Sequence, residues 1–182
     1  MRGIRRFLFI VFVSLSFQAT AQEAIKSRPS PTSIVAARYK DTYLKITYSQ
    51  PHKRGRMIFG SLVPYGQVWR TGANEATEMT ITKDILINNS PLRAGTYSIF
   101  TIPDKESWTI IINSELGLWG SYNYNAKLDV MRFTIPSKTL QGAVYEPFTI
   151  LIEQKNNVAD IVLLWDSIRI QIPIQFLEPK LP

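Results

Sequence analysis

Arg70, Asn74 and Glu75 fall within six consecutive residues, on either side of Gly72, in the run VWRTGANEAT (residues 68–77). A guanidinium, a carboxamide and a carboxylate so spaced can grip a sugar, a peptide end or an acid through charge-assisted and bidentate hydrogen bonds. Gly72 is expected to supply positive φ and a tight backbone path, so that the three side chains converge. The competing expectation is an Arg70–Glu75 ion pair that only pins the loop. Upstream, His52, Lys53, Arg54 and Arg56 form a basic knot. Exposed charges of this kind contribute weakly, and Arg56 is the one counted with Trp69 as a lining residue. Tyr122 and Tyr124 add aromatic faces on which a ring can stack, as does Trp119. Trp69 and Trp119 are equally expected to anchor their loops, because an aromatic side chain buries about 150–250 Å².

Other chemistry has little material. There is no cysteine, which removes disulfides, thiol nucleophiles and Cys-based metal sites, and His52 is the only histidine. No nucleophile elbow, phosphate-binding glycine loop or calcium loop occurs. No cofactor and no metal are expected. The one acid pair open to nomination for hydrolysis is Glu75 with Asp129, which would have to lie about 5–10 Å apart. Asp129 and Arg132, three apart, can instead bond each other.

The elements that must position these groups are strands. Runs with period two or full apolarity cover 33–39, 42–48, 77–81, 85–87, 96–102, 108–112, 130–135, 148–153, 161–165 and 168–176, with turn residues such as Asn88-Asn89, Asn156-Asn157 and Asp166-Ser167 between them. About ten short strands at this spacing predict an all-β fold: one antiparallel β-sandwich, jelly-roll or immunoglobulin-like. A single helical turn is expected near 125–129. Pro173 marks an edge strand or a bulge, since proline gives the ladder no N–H. After the second strand, residues 49–76 hold four glycines and two prolines with no period of two. Long irregular segments inside compact domains are usually functional or disordered. Disorder does not suit Met57, Ile58, Phe59, Leu62, Val63, Tyr65, Val68 and Trp69, so this loop is expected to pack over an open end or face of the sandwich and carry the site.

The N-terminus reads as an address. Arg2, Arg5 and Arg6 precede an apolar run, 7–17, and Ala19-Thr20-Ala21 follows. That is the secretory pattern, with cleavage expected after Ala21; the run is short of the roughly 20 residues of a spanning helix. Of the 21 basic residues three leave with the leader and none of the 14 acids does, so the formal charge drops from +7 to +4. An exported protein so weakly basic has no expected nucleic-acid partner and no transmembrane segment after cleavage. The expected organisation is a signal peptide (1–21), a flexible lead-in (22–31), the sandwich (32–177) and a tail (178–182), with a periplasmic or extracellular destination.

YSQP, GRMIFG, LVPYGQVWRTGANEAT, AGTYSIFTIP, LWGSYNY and DVMR, between about Ser30 and Phe176, resemble an exported bacterial family known only as domain of unknown function 2911. The resemblance implies a β-rich exported domain and no particular reaction. The resulting expectation is a domain that binds a small polar or glycan-like ligand through residues 50–77, with Arg56, Trp69, Arg70, Asn74, Glu75, Tyr122 and Tyr124 at the site. The alternatives are a hydrolase using Glu75 and Asp129, or an envelope assembly module docking through Phe59, Leu62, Val63 and Tyr65.

Overall fold

A computed structural model describes residues 26–178; the expected leader lies outside the described residues, as do residues 179–182. The described chain is an antiparallel β-sandwich of twelve strands: β1 (Thr32–Tyr39), β2 (Thr42–Ser49), β3 (Thr77–Ile81), β4 (Ile85–Ile87), β5 (Ser90–Leu92), β6 (Gly95–Ile102), β7 (Ser107–Asn113), β8 (Asp129–Pro136), β9 (Lys138–Thr139), β10 (Tyr145–Lys155), β11 (Val158–Asp166) and β12 (Ile168–Phe176). One sheet runs β1-β2-β3-β6-β7-β8, the other β10-β11-β12-β4-β5 with β9 beside β12. The two strands that sequence patterning missed are β5 and β9, three and two residues long, too short for a period to register. The expected helical turn is the 3₁₀ turn Ala126–Leu128, capped by the Asn125 side chain.

Alternation does the sorting. In β2, Leu44, Ile46 and Tyr48 face inward; in β7, Trp108, Ile110 and Ile112 do, and all are buried in one core with Ile161, Leu163 and Trp165 of β11. Among the described residues no helix is long and apolar enough to span a membrane. Pro173 sits where β12 lacks a strand partner on one side, between β9 at 168–169 and β4 at 174–176. Its carbonyl accepts a bond from the Asn88 N–H at 2.8 Å on that side. A strand residue turns its nitrogen and carbonyl the same way, so the missing N–H also falls there and the ladder to β11 is undisturbed.

The outer face of the first sheet explains where the later loops rest. Thr47 pairs with Glu78, Glu78 with Ser98, Ser98 with Asn113 and Asn113 with Asp129, a polar row across five strands on one face. The loop 114–128 is tied to this row: Ser98 Oγ donates to the Glu115 carbonyl (2.6 Å), the Gly117 N–H to Glu78 Oε1 (2.9 Å) and Asn113 Nδ2 to the Asn125 carbonyl (3.0 Å). Beneath it a second apolar cluster forms from Ala76, Phe100 and Ile111, with Val68, Leu118 and Tyr124 against them.

Residues 50–69 plug one end of the sandwich, as the apolar content of the loop predicts. Ile58 and Val63 are buried, and Phe59 and Trp69 enter an aromatic cluster. Trp69 stacks on Trp165 (centroids 5.8 Å apart) and meets Phe148 edge-on at 5.1 Å; Phe59 meets Trp108 at 4.9 Å. Its indole N–H donates to the Gly72 carbonyl at 3.0 Å. Trp69 is therefore part of the core and presents no face to a ligand, which corrects its expected place in the site.

Candidate functional site

The basic knot is consumed by the fold. Lys53 pairs with Asp166 at 2.6 Å, the Lys53 N–H donates to the Glu146 carbonyl, and the Arg54 N–H to the Glu146 carboxylate. Arg56 Nε and Nη2 donate to the carbonyls of Lys53 (3.0 Å) and His52 (2.6 Å). The exposed Arg56 guanidinium thus closes its own turn through Nε and Nη2.

Beyond Trp69 the chain changes character. Thr71 and Asn74 adopt φ of 55° and 56°, and a β-branched residue in this region is a true outlier, costing on the order of 1–3 kcal/mol. Buried hydroxyls hold it there: Thr71 Oγ1 bonds Thr101 Oγ1 at 3.1 Å, and Thr77 Oγ1 donates to the Thr71 carbonyl at 2.6 Å. Gly72 is not the residue with positive φ. It is required for a different reason, because a Cβ there would lie 3.0 Å from the Ser49 carbonyl oxygen and 3.2 Å from Thr77 Oγ1. The kink thus turns on two neighbours of the glycine.

The kinked segment pairs with the loop 114–128. The Gly120 N–H donates to the Asn74 carbonyl and the Ala76 N–H to the Leu118 carbonyl, both at 2.9 Å, and Glu75 faces Trp119 across an antiparallel bridge. Trp119 is 58% exposed and Tyr122 83%. Tyr122 folds back over Gly120, where a Cβ would lie 2.7 Å from its ring. Tyr124 points the other way: it packs on Phe100 at 5.0 Å and donates to Asp129 Oδ2 at 2.7 Å, with Arg132 bonded to both. Burial and then the Asp129 bond push its hydroxyl up to about 12. Tyr124 is a buttress and not a ligand face.

The signature segment and its paired loop both lie inside a match to the family described as "Protein of unknown function (DUF2911)", which covers residues 30–174. The chain belongs to this family. Searches of the curated proteins and of the solved structures gave no match.

Within this DUF2911 domain the two charges of the signature go separate ways. Glu75 is bound by Arg28, Nη1 to Oε1 at 2.7 Å, and receives a long bond from Ser49 Oγ at 3.4 Å. The Arg28 guanidinium holds its carboxyl below the usual range. Glu75 also borders an open cleft of about 300 Å³ whose walls include Thr32, Ser49, Glu78 and Gly117. Arg70 has no ion pair or hydrogen bond to its guanidinium among the described residues, and its Nε is buried without a partner. Burial lowers its pKa, opposed only by the nearby Tyr122 hydroxyl. The expected Arg70–Glu75 pair is absent.

The hydrolytic alternative loses its acids. Glu75 is tied to Arg28 and Asp129 to Arg132, and Glu75 is shifted down where a general acid must be shifted up. Among the described residues no three metal-ligating side chains cluster. Of the docking face, Phe59 and Val63 are turned inward, leaving Leu62 and Tyr65 outside with Met57. Arg28 and Glu78 were missed by sequence reasoning. Glu78 was legible as an outward acid on a strand, whereas nothing local marks Arg28, whose partner is 47 residues away.

Proposed function

We propose that this is an exported sandwich domain that binds a small acidic ligand of glycan type where the kinked segment meets the aromatic loop. The observation that carries the reading is the half-buried guanidinium of Arg70, whose Nε is buried without a partner. Fixed positive charge without a compensating acid is costly to keep, and a ligand carboxylate in bidentate contact would relieve it. Tyr122 and Trp119, both exposed, supply flat apolar faces of the kind a sugar ring rests on. Asn74 contributes a polar wall, and its side-chain amide already donates to the Ser30 carbonyl at 3.2 Å.

The discriminating experiment compares a uronic acid with its neutral sugar. Glucuronate or galacturonate oligomers should raise the melting temperature of the protein, glucose and galactose should not, and Arg70→Met should abolish the shift. Equal shifts from acid and neutral sugars, or an unchanged response in Arg70→Met, overturn the reading. Export is tested separately: the N-terminal residue of protein recovered outside the cytoplasm should be Gln22.

A further inference from the structure

The residues just before the first strand are held in the manner of a bound peptide. Three successive carbonyls are caught by side or main chain of the long loop. Arg54 Nη2 donates to Pro29 at 3.1 Å, Asn74 Nδ2 to Ser30 at 3.2 Å and the Gln50 N–H to Pro31 at 2.8 Å. The one charged side chain of this stretch, Arg28, reaches the Glu75 carboxylate. Backbone capture plus a single charged anchor is how extended, proline-containing peptides are recognised, their stiffness lowering the entropy lost on binding.

The receiving surface has the parts a guanidinium requires. Glu75 is fixed by its bridge to Trp119, and residues paired across an antiparallel bridge project to the same side. The Glu75 carboxylate offers a guanidinium an ion pair, which Arg28 takes through Nη1. Glu78 stands in the same cleft and spends one oxygen on the Gly117 N–H. Arg28 and Glu75 are each about half exposed, 53% and 45%, so their pair is weak and exchangeable.

We infer that the groove formed by Gln50, Arg54, Asn74 and Glu75 recognises an extended Arg-Pro segment, and that residues 28–31 of the chain itself occupy it in cis as an exchangeable latch. The partner class is an arginine followed by proline in an unfolded terminus or linker. The inference is independent of Arg70 and of an acidic ligand, since it uses opposite charge on the other flank of the kink.

The test adds the segment back in trans. The peptide acetyl-Lys-Ser-Arg-Pro-Ser-Pro-amide is titrated into full-length Arg28→Ala and followed by the amide signals of Gln50, Asn74 and Glu75. Saturable shifts at these positions are expected. Affinity should be about threefold or more weaker in the wild type, where Arg28 competes. The same peptide with alanine for arginine should give no saturable shift, and the double variant Arg28→Ala, Glu75→Gln should not respond. Equal response to the arginine and alanine peptides, equal affinity of wild type and Arg28→Ala, or binding retained in the double variant each overturn the inference. Glu75→Gln keeps shape and exposure, so loss of folding does not confuse the outcome.

Discussion

The long crossover between β2 and β3 has two halves built for different ends. From Pro51 to Trp69 the side chains mostly serve the fold: Ile58, Phe59, Val63 and Trp69 fill the open end of the sandwich, Lys53 and Arg56 close turns or pair with Asp166, and Met57, Leu62 and Tyr65 stay outside. From Arg70 to Glu75 the backbone takes a positive φ at Thr71, where it is unfavourable, and again at Asn74, where it is tolerated, while the Arg70 charge is left unmatched. Stability sits in one half and stored strain with unspent polarity in the other. Protein sites commonly carry such local cost, supported by a neighbouring region that over-determines the fold.

The sharpest break in this comparison is Trp69→Ala. Removing an indole from a five-ring cluster should cost about 3–5 kcal/mol, read as a large fall in the urea midpoint; a loss below about 1 kcal/mol would mean that the plug does not support the end of the sandwich. Gly72→Ala comes next, at about 1–3 kcal/mol, because the new methyl would sit 3.0 Å from the Ser49 carbonyl oxygen, and backbone must shift to admit it. Its unfolding curve tells close approach from backbone conformation: Gly72→Ala should destabilise although φ there is ordinary.

Tyr124→Phe should cost about 1 kcal/mol by stripping a donor from Asp129. The Tyr124 hydroxyl ionises at about 12 in the folded chain and near 10 when unfolded. The native state therefore holds that proton more tightly, so its contribution is complete below pH 10 and is lost as pH rises toward 12. Unfolding measured across that window should show a falling stability whose slope is reduced in Tyr124→Phe. Arg70→Met should have the smallest effect, within about 0.5 kcal/mol or in the stabilising direction, although it removes ligand response. A marked destabilisation would place Arg70 in the structural half after all.

Much of the frame was legible because strand chemistry is local. TYLKITY and TEMTI show the period of two on their face, and the Asn-rich turns mark reversals without reference to distant residues. The plug was legible in part, since an aperiodic loop so rich in apolar residues had to find cover: Ile58, Phe59, Val63 and Trp69 do, whereas Met57, Leu62 and Tyr65 stay outside. Trp69, however, carries the same letters whether it faces ligand or core, and only the positions of Trp165 and Phe148 decide. Gly72 was recognised as necessary but for the wrong reason, because the Ser49 carbonyl that crowds it arrives from another strand. Arg56 and Tyr124 have partners close in sequence, His52 and Asp129, yet geometry had to choose those over solvent. Arg28 lay in a segment with no periodicity, and its role depends entirely on where the kink places Glu75.

The hairpin β4–β5 leaves the first sheet after β3 and joins the second, where its neighbour is β12, the final strand of the domain. A chain emerging from its N-terminus thus holds this hairpin with an open edge until nearly everything else has been made. The first sheet needs nothing beyond β8, whereas the second needs β10, β11 and β12 beside the hairpin. Closing the second sheet is therefore a late event governed by contacts far apart along the chain, a slow topology, and in the interval the unpaired edges must be shielded from neighbouring copies.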